Sequence, residues 1–329
     1  MAAKQTQAET DVLVIGGGPG GYTAAFRAAD HGLDVTLVSD EERLGGVCLL
    51  RGCIPSKALL QMTELIELVG EADEAGITYE PPRIEPDKLR RWSEEVVQRL
   101  TDGLARLCRR RGVHLIQGRA RFDGSDKARI EGAEVETVRF GHAIIATGSL
   151  PRMPGAFDIN DERILDSTGA LALKSIPERL LVVGGGYVGL ELGSVYAALG
   201  SAVTLVQSGP QLLPGVDADL VKPLSQRLEQ RFESLRLESR AVQLRADEET
   251  IRVTRGGPNG SEKELSDTGF DRVLVAVGRR PNTAQLGLET TGIKTDDRGT
   301  IRVDAQQRTD DDRILAIGDA AGGPLLAHK

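Results

Sequence analysis

Two cysteines five positions apart, Cys48 and Cys53, are the residues of this chain best suited to redox chemistry. In a regular α-helix the Cα atoms of such a pair are about 8–9 Å apart, whereas a disulfide requires a separation below about 7 Å. Gly52, which precedes the second cysteine, permits the backbone distortion that would close this gap. Lys57 follows one helical turn later. The spacing therefore predicts a redox-active disulfide, and a pair of buried core cysteines is the alternative.

Two glycine-rich turns, at residues 16–21 and 184–189, each follow a short apolar strand and precede a helix and a second strand. This order is a βαβ unit with a dinucleotide-binding fingerprint in its expected context. Glycines let the backbone approach a pyrophosphate, and the helix N-terminus supplies oriented N–H groups. One copy alone is weak evidence, but two complete copies predict two dinucleotide sites rather than two turns without ligands. The fingerprint glycines are Gly16, Gly18 and Gly21 in the first copy and Gly184, Gly186 and Gly189 in the second.

The periodicity of the remaining sequence favours a two-domain α/β protein. An amphipathic pattern predicts a long helix over residues 87–111, and its arginine-rich end suits a helix C-terminus. Residues 118–140 and 235–263 alternate like strands of small antiparallel sheets. The predicted fold class is α/β, with two Rossmann-like dinucleotide-binding domains that each carry a small antiparallel β-sheet. The βαβ helices are predicted over residues 22–31 and 190–199, and their flanking strands include residues 33–38, 179–183 and 203–206.

Composition narrows the class of protein further. The 329 residues are 40% hydrophobic and 27% charged, with a net charge of −8; this argues against a nucleic-acid partner, because such proteins present a basic face. No apolar run approaches the roughly 20 residues of a membrane span, and the polar first ten residues lack the apolar core of a signal peptide. We therefore expect a cytoplasmic protein, in which a persistent cysteine pair is more often catalytic than structural. The third cysteine, Cys108, is expected to be partly buried and chemically ordinary.

Six segments together resemble the flavin-dependent pyridine nucleotide–disulfide oxidoreductases, and in particular their dihydrolipoamide dehydrogenase branch. The resemblance implies a discontinuous FAD-binding domain of residues 1–150 and 280–329, with an NAD(P)-binding domain of residues 151–279 inserted in it. The family's C-terminal dimerisation domain is expected to be absent from this chain. In chain order the segments are IGGGPGGYTAAFRAA, GGVCLLRGCIPSKALL, HAIIATGS, LVVGGGYVGLELGSVYAALGSAVTLV, DRVLVAVGRRPNT and ILAIGDAAGGPLLAHK.

The resemblance also assigns roles to individual residues. Cys53 matches the flavin-side thiol, and Cys48 matches the interchange thiol that meets the substrate. Lys57 matches a lysine beside the flavin N5, and Glu191 matches the acid that pairs with it. No metal site is expected. The residues that match FAD-binding positions are Gly16, Gly18, Gly21, Ser39, Gly46, Lys57, Ala120, Thr147, Gly148, Ser149, Asp319, Leu326, Ala327 and His328. Those that match NAD-binding positions are Gly184, Gly186, Tyr187, Gly189, Gln207 and Gly278.

The activity implied by the resemblance is that of an FAD-dependent dihydrolipoamide dehydrogenase. Electrons would pass from dihydrolipoamide through a Cys48–Cys53 disulfide and FAD to NAD⁺. A flavin carries the hydride chemistry while the protein orients it, and a nearby lysine can stabilise the negative charge that develops. Expected partners are a lipoyl group or another small disulfide, within a 2-oxo acid dehydrogenase or glycine cleavage complex. The alternatives are another flavin disulfide reductase, of the glutathione- or mercuric-reductase type, or a nucleotide-binding subunit without turnover.

Two departures from the family pattern modify these expectations. The acid that usually ends the strand after each fingerprint is replaced by Ser39 and Gln207. Because no arginine cluster follows Gln207, we expect NAD rather than NADP.

The dimerisation domain of the family supplies a His–Glu acid–base pair, and general acid–base catalysis is typically worth about 10²–10⁴-fold in rate. We therefore expect impaired disulfide turnover, and a doubtful homodimer, for this chain. Its histidines, which do not offer that motif, are His31, His114, His142 and His328.

Overall fold

The computed structural model describes residues 7–256, 262–265 and 269–327. The chain folds as two compact units, and both are discontinuous in sequence. Unit 1 comprises Met1–Cys53, Val97–Leu150 and Arg279–Lys329, and unit 2 comprises Ile54–Val96 and Pro151–Gly278.

Helices and strands alternate along most of the chain. In the first half they are β1 (Gln7–Ile15), α1 (Pro19–Asp30), β2 (Val35–Ser39), α2 (Gly46–Arg51), α3 (Cys53–Glu71), α4 (Pro86–Arg111), β3 (His114–Gln117), β4 (Arg119–Phe122), β5 (Lys127–Glu131), β6 (Thr137–Ile145) and β7 (Ser149–Pro151). They continue with β8 (Ile164–Leu165), α5 (Ser167–Leu171), β9 (Arg179–Val183), α6 (Tyr187–Ala198), β10 (Ala202–Val206), α7 (Ala218–Arg231), β11 (Ser234–Arg236), β12 (Arg240–Ala246), β13 (Ile251–Gly256), β14 (Glu262–Glu264), β15 (Arg272–Val275), β16 (Arg279–Pro281) and β17 (Ile314–Ala316).

The main sheet of unit 1 has strand order β3-β2-β1-β6-β5-β4, and β17 also pairs with β6. Strands β3, β2, β1, β6 and β17 run parallel, whereas β4, β5 and β6 form an antiparallel extension. Ile15 pairs with Val38 and with Ile145 in register. The residues that follow these strands consequently emerge at one edge of the sheet, which is where ligands of open α/β sheets bind.

Unit 2 repeats this plan with a parallel sheet of order β11-β10-β9-β15-β8. Val183 pairs with Val206 and with Val275, so the segments after these strands also meet at one edge. A separate antiparallel sheet is formed by β12, β13 and β14. The predicted fold class is therefore confirmed: each unit combines a Rossmann-like parallel sheet with antiparallel strands.

The helices begin earlier than the periodicity predicted. α1 begins at Pro19, because a proline in the first helical turn lacks an N–H that would have no partner there. α6 begins at Tyr187, immediately after the fingerprint glycine Gly186, which is its N-cap. The helix predicted over residues 87–111 is confirmed by α4.

Cys108 on α4 was expected to be partly buried, and this expectation was wrong. Its side chain is only 2% exposed and packs in an apolar cluster with Val14, Ala25 and Leu37. The buried setting raises the pKa of the thiol, because desolvation disfavours the thiolate. Cys108 is thus a core residue. Within the described ranges, no helix combines the length and apolar character needed to cross a membrane.

Candidate functional site

The first glycine turn, in unit 1, is too tightly packed for side chains at two positions. A Cβ on Gly16 would lie 2.3 Å from the carbonyl oxygen of Ala146, and one on Gly21 would lie 1.8 Å from the oxygen of Gly16. Gly16 also has a φ of +115°, which favours glycine. At Gly18, the N-cap of α1, the atom nearest to an added Cβ would be Cα of Gly46, 3.8 Å away. The turn is closed against the sheet but open at the helix N-terminus, the arrangement a pyrophosphate requires.

The cysteine segment is attached directly to this turn. The N–H of Gly45 donates to the carbonyl oxygen of Gly17 at 2.8 Å. Gly46 has a φ of +57°, and a Cβ there would lie 2.6 Å from Cα of Gly18. This close approach requires glycine, and it places α2, with Cys48 as its third residue, beside the first fingerprint.

The helix is interrupted between the two cysteines, as the spacing predicted. α2 ends at Arg51, and α3 begins at Cys53. A Cβ on Gly52 would lie 2.8 Å from the carbonyl oxygen of Val47, closer than real Cβ contacts, so only glycine fits this turn. Cys48 and Cys53 are both partly buried. The break is the departure from regular-helix geometry that a disulfide at this spacing requires, although in the structure Cys48 and Cys53 are not joined by a disulfide.

Three ionisable side chains in unit 1, those of Arg51, Glu41 and Tyr22, accompany the cysteine segment. Arg51 forms an ion pair with Glu41, and both side chains are about 30% exposed, at 31% and 28% respectively. Burial, and secondarily the charge of Cys48, raise the pKa of Tyr22 on α1. Cys48 is therefore within electrostatic range of the Tyr22 hydroxyl, and the segment carries one arginine charge that is already balanced.

A polar cluster in unit 1 joins the segment after β6 to the segment after β17. The hydroxyl of Ser149 donates to Asp319 and accepts a hydrogen bond from Nε of Arg279 at 2.7 Å. Arg279 also donates through Nη2 to the Ser149 carbonyl oxygen at 2.6 Å. The Oγ1 atom of Thr147 is buried without a hydrogen-bond partner among the described residues. Because buried hydroxyls are normally hydrogen-bonded, this orphan atom fits a polar ligand group such as a flavin.

The other predicted flavin-contacting residues of unit 1 occupy varied settings. Ser39 is 4% exposed and accepts from the N–H of Glu41 at 3.3 Å. Ala120 is buried in the apolar core on β4. Gly148 has a φ of +69°, and its carbonyl oxygen accepts from the N–H of Asn282 at 2.9 Å. Leu326 and Ala327 are exposed, whereas His328 lies outside the described residues.

The second glycine turn, in unit 2, repeats the geometry of the first. A Cβ on Gly184 would lie 2.3 Å from the oxygen of Ala276, and one on Gly189 would lie 2.1 Å from the oxygen of Gly184. A Cβ on Gly186 would meet no described atom within 4 Å. Tyr187, the first residue of α6, is 42% exposed. Gly278, predicted to contact the nicotinamide nucleotide, has a φ of +113°, and a Cβ there would meet no described atom within 4 Å.

Gln207, the residue that follows β10, has a defined partner in the second glycine turn. Its side chain is 8% exposed, and its Oε1 atom accepts the N–H of Gly185 at 3.0 Å. An amide, rather than the acid that is usual after such a strand, therefore lies against the second fingerprint.

A three-residue cluster in unit 2 contains the predicted Lys57–Glu191 pair. Nζ of Lys57 is 2.6 Å from Oε1 of Glu191, and the Lys57 side chain is 58% exposed. The hydroxyl of Ser56 donates to the other carboxylate oxygen, Oε2, at 2.9 Å. Ser56 was not predicted from the sequence, because nothing in a helix-opening serine indicates a partner 135 positions away. Both oxygens of Glu191 are thus held by residues from the first turns of α3.

The remaining predicted residues and the surface add little to the site. His31 caps the end of α1, His114 lies 3.6 Å from Asp34, and His142 lies on β6. In the described part of the chain, no group of three His, Cys, Asp or Glu residues could hold a metal ion. A surface cleft of about 500 Å³ in unit 1 includes His142, Asp304 and Arg308. It lies away from the strand ends that carry the glycine turn, so we do not assign it to the site.

Comparison with known proteins agrees with this architecture. The family model for pyridine nucleotide-disulphide oxidoreductases matches residues 10–329. The chain is 43% identical to a dihydrolipoyl dehydrogenase of Vibrio cholerae over 98% of its own length and 67% of that protein's length. It is 45% identical to the dihydrolipoyl dehydrogenase of Haemophilus influenzae, with 98% of this chain and 66% of that protein covered.

A solved structure gives the same result. The HOCl-induced flavoprotein disulfide reductase RclA from Escherichia coli superposes with a TM-score of 0.82 and 27% identity, covering 97% of this chain and 68% of the other. The chain therefore spans about two thirds of the length of the proteins it matches. Two glycine turns, a cysteine segment joined to the first of them, and these matches show that the chain belongs to the pyridine nucleotide-disulphide oxidoreductase family, whose flavoenzymes use FAD and NAD(H).

Proposed function

We propose that this chain is the FAD- and NAD-binding part of a dihydrolipoyl dehydrogenase. The observation that carries the proposal is the hydrogen bond from Gly45 to Gly17, which joins the cysteine segment to the first glycine turn. The names of the relatives at 43–45% identity support the choice of dihydrolipoamide among disulfide-reducing activities. We assign FAD to the turn of unit 1 and NAD(H) to the turn of unit 2.

In this proposal the two cysteines perform the sulfur chemistry. One thiolate of dihydrolipoamide attacks the sulfur of Cys48 in the Cys48–Cys53 disulfide, and Cys53 leaves as a thiolate. The second substrate thiolate then attacks the substrate sulfur of the mixed disulfide and releases Cys48. Lipoamide leaves oxidised, and the protein holds two reduced cysteines. Overall, dihydrolipoamide and NAD⁺ give lipoamide, NADH and a proton, so atoms and electrons balance.

The remaining residues bind and orient. A bound FAD supplies the two-electron transfer that couples cysteine oxidation to NAD⁺ reduction. Gly18 and Gly186 leave room for a pyrophosphate at the N-termini of α1 and α6. Glu191 pairs with the Lys57 ammonium at 2.6 Å, and Lys57 is the residue to which the family resemblance gives charge stabilisation. Thr147 offers an unused hydroxyl, and Ser149 and Arg279 orient Asp319.

The setting of the reaction follows from its chemistry. A lipoyl group is the proposed substrate, and a 2-oxo acid dehydrogenase or glycine cleavage complex is the proposed host. We propose a cytoplasmic location, because a reducing compartment keeps such cysteine pairs in exchange rather than locked as structural disulfides.

Anaerobic addition of dihydrolipoamide to the purified flavoprotein tests the proposal without any nicotinamide nucleotide. We expect the visible flavin absorbance to fall, and we expect glutathione at the same thiol concentration to leave it nearly unchanged. Cys48→Ser should retain FAD but lose the response, while Cys108→Ser, a change at a core thiol, should keep it. Equal responses to glutathione and dihydrolipoamide, or a full response in Cys48→Ser, would contradict the proposal.

A further inference from the structure

The amide of Gln207 has a fixed orientation. Its Oε1 atom accepts the Gly185 N–H at 3.0 Å, and because an N–H can be met only by an acceptor, the NH₂ end must face away from that glycine. The Nε2 atom lies 3.2 Å from the point where a Cβ on Gly209 would stand. Gln207 thus presents a hydrogen-bond donor, and no formal charge, to the loop after β10.

This chemistry differs from that of an acid at the same position. A carboxylate after the second strand accepts hydrogen bonds from ribose hydroxyls, and it repels a 2′-phosphate because both groups are negative. An amide NH₂ can donate either to a hydroxyl oxygen or to a phosphate oxygen. The repulsion that would exclude a 2′-phosphorylated ribose is therefore removed by the residue present here.

The segment that pairs with residues 207–209 does not restore a negative field. Gln207 donates its N–H to the carbonyl oxygen of Arg236 at 2.9 Å, and Glu238 donates its N–H to the oxygen of Gly209 at 3.0 Å. This segment therefore carries one cation and one anion. Ser239 donates its N–H to the oxygen of Gln207 at 3.0 Å, and the buried Oγ of Ser239 has no partner within the described ranges. The segment beside Gln207 therefore adds no net formal charge, and it retains an unused hydroxyl.

We propose that Gln207 relaxes coenzyme selection, so that the second glycine turn accepts NADP(H) as well as NAD(H). The inference rests on the proposed assignment of the nicotinamide nucleotide to unit 2. It modifies the expectation that followed from the sequence, where the absence of arginines after Gln207 indicated NAD rather than NADP. An arginine cluster would reverse the selectivity, whereas a neutral amide beside a segment without net formal charge weakens it.

Calorimetric titration of the flavoprotein with two nucleotide fragments tests the inference directly. AMP and adenosine 2′,5′-bisphosphate differ only in the 2′-phosphate. We expect their dissociation constants to lie within about tenfold of each other in the wild type, and Gln207→Glu to widen the ratio by a further tenfold or more against the bisphosphate. Gln211→Glu is the matched control, since Gln211 contacts Val216 in the same loop instead of the glycine turn. This variant should keep the wild-type ratio.

Two outcomes would overturn the inference. One is a wild-type ratio already as wide as that of Gln207→Glu, and the other is failure of AMP itself to bind. Neither result decides the proposed dihydrolipoamide activity, because loss of flavin absorbance on adding dihydrolipoamide is measured without any nucleotide. If dihydrolipoamide failed to reduce the flavin while the two dissociation constants behaved as expected, dihydrolipoamide would be rejected as the substrate. The inference about coenzyme selection would then still stand.

Discussion

The hydroxyl of Ser56 donates a 2.9 Å hydrogen bond to Oε2 of Glu191, the carboxylate whose other oxygen receives Lys57 at 2.6 Å. The two donors differ in burial: Ser56 is 4% exposed, whereas the Lys57 side chain is 58% exposed. A hydrogen bond to a charged group is worth about 1.5–3 kcal/mol, and an exposed ion pair about 0–1 kcal/mol. Ser56 therefore contributes more than Lys57 to holding Glu191 in place.

Ser56→Ala should lower the free energy of unfolding of unit 2 by about 1.5–3 kcal/mol, and Lys57→Met by about 1 kcal/mol or less. Denaturant titration followed by fluorescence of Trp92, the single tryptophan, which lies in unit 2, measures both changes. In a Glu191→Ala background, the loss of unfolding free energy caused by Ser56→Ala should fall to a small fraction of its value in the wild-type background. An equal cost in both backgrounds would mean that Ser56 does not act through Glu191.

Gly52→Ala should shift the cysteine pair toward the dithiol. Its Cβ would lie 2.8 Å from the Val47 oxygen, so the turn between the two cysteines must open. We expect the equilibrium constant for disulfide formation to fall by about tenfold or more, because distorted disulfides store several kcal/mol of strain. Quenching in glutathione redox buffers, followed by thiol alkylation and mass spectrometry, gives this constant.

Gly70→Ala on α3 is the control for that experiment. A Cβ on Gly70 meets no described atom within 4 Å, so the substitution should leave the redox equilibrium unchanged. It should also stabilise the helix by up to about 1 kcal/mol. Equal disulfide formation in Gly52→Ala and Gly70→Ala would refute the role given to Gly52.

Alanine variants at two glycines of the second turn distinguish an effect on folding from an effect on ligand binding. Gly189→Ala places a Cβ 2.1 Å from the Gly184 oxygen, so unit 2 should lose stability as well as NADH affinity. Gly186→Ala meets no described atom within 4 Å, and its thermal stability should stay near that of the wild type. Its NADH affinity should nevertheless fall by about tenfold or more, because the new methyl group occupies the space through which a pyrophosphate approaches the backbone.

Calorimetry with NADH and thermal unfolding test both variants, and the visible flavin spectrum shows whether FAD is retained. Both variants should remain yellow, since the first glycine turn is unaltered. Undiminished NADH affinity in Gly186→Ala would show that this turn is not the nicotinamide nucleotide site.

Asp161 provides a pH-dependent test of unit 2. Hydrogen bonds from Arg163 lower the pKa of Asp161 from 3.8 to about 2, and Nη2 of Arg163 is 2.8 Å from Oδ2. Because the folded-state pKa is depressed, the stabilisation is fully present above the unfolded value of 3.8 and is lost as pH falls from there toward 2. Asp161→Asn should therefore lower the thermal unfolding midpoint at neutral pH. The difference between the midpoints of wild type and variant should narrow below pH 3.8.

Thermal unfolding of both proteins across this range, at constant ionic strength, measures the gap. Asp310→Asn is a suitable control, since that exposed carboxylate is 3.7 Å from Lys294 in a loose surface pair. A gap for Asp161→Asn that stays constant, or widens, as pH falls would contradict the assignment.

Local features of the sequence predicted the parts of the site that depend on local geometry. The sequence indicated three glycines at which a side chain would meet backbone: Gly16, Gly21 and Gly52. For Gly21 and Gly52 this backbone lies five residues earlier in the chain, and for Gly16 it lies at the end of the neighbouring strand. The fold class followed from the same periodicities. The start of α6 was missed because Tyr187 and Val188 continue the glycine turn without a recognisable N-cap side chain.

Tertiary contacts account for what was missed. Ser56 and Arg279 acquire their roles from partners 135 and 130 positions away, and no local pattern marks either residue. Gln207 was recognised as unusual, but the orientation of its amide depends on Gly185, and the backbone placement of Arg236 depends on strand pairing. Such contacts become visible only when the sheets are assembled.

In the proposed reaction, electrons pass through the two cysteines of the segment joined to the first glycine turn. Anaerobic addition of NADH to the oxidised flavoprotein, followed by alkylation and peptide mapping, follows this electron path. We expect Cys48 and Cys53 to gain label together as NADH is consumed, while Cys108 does not respond. Reduction of the flavin by NADH with Cys48 and Cys53 still refractory to alkylation would contradict it.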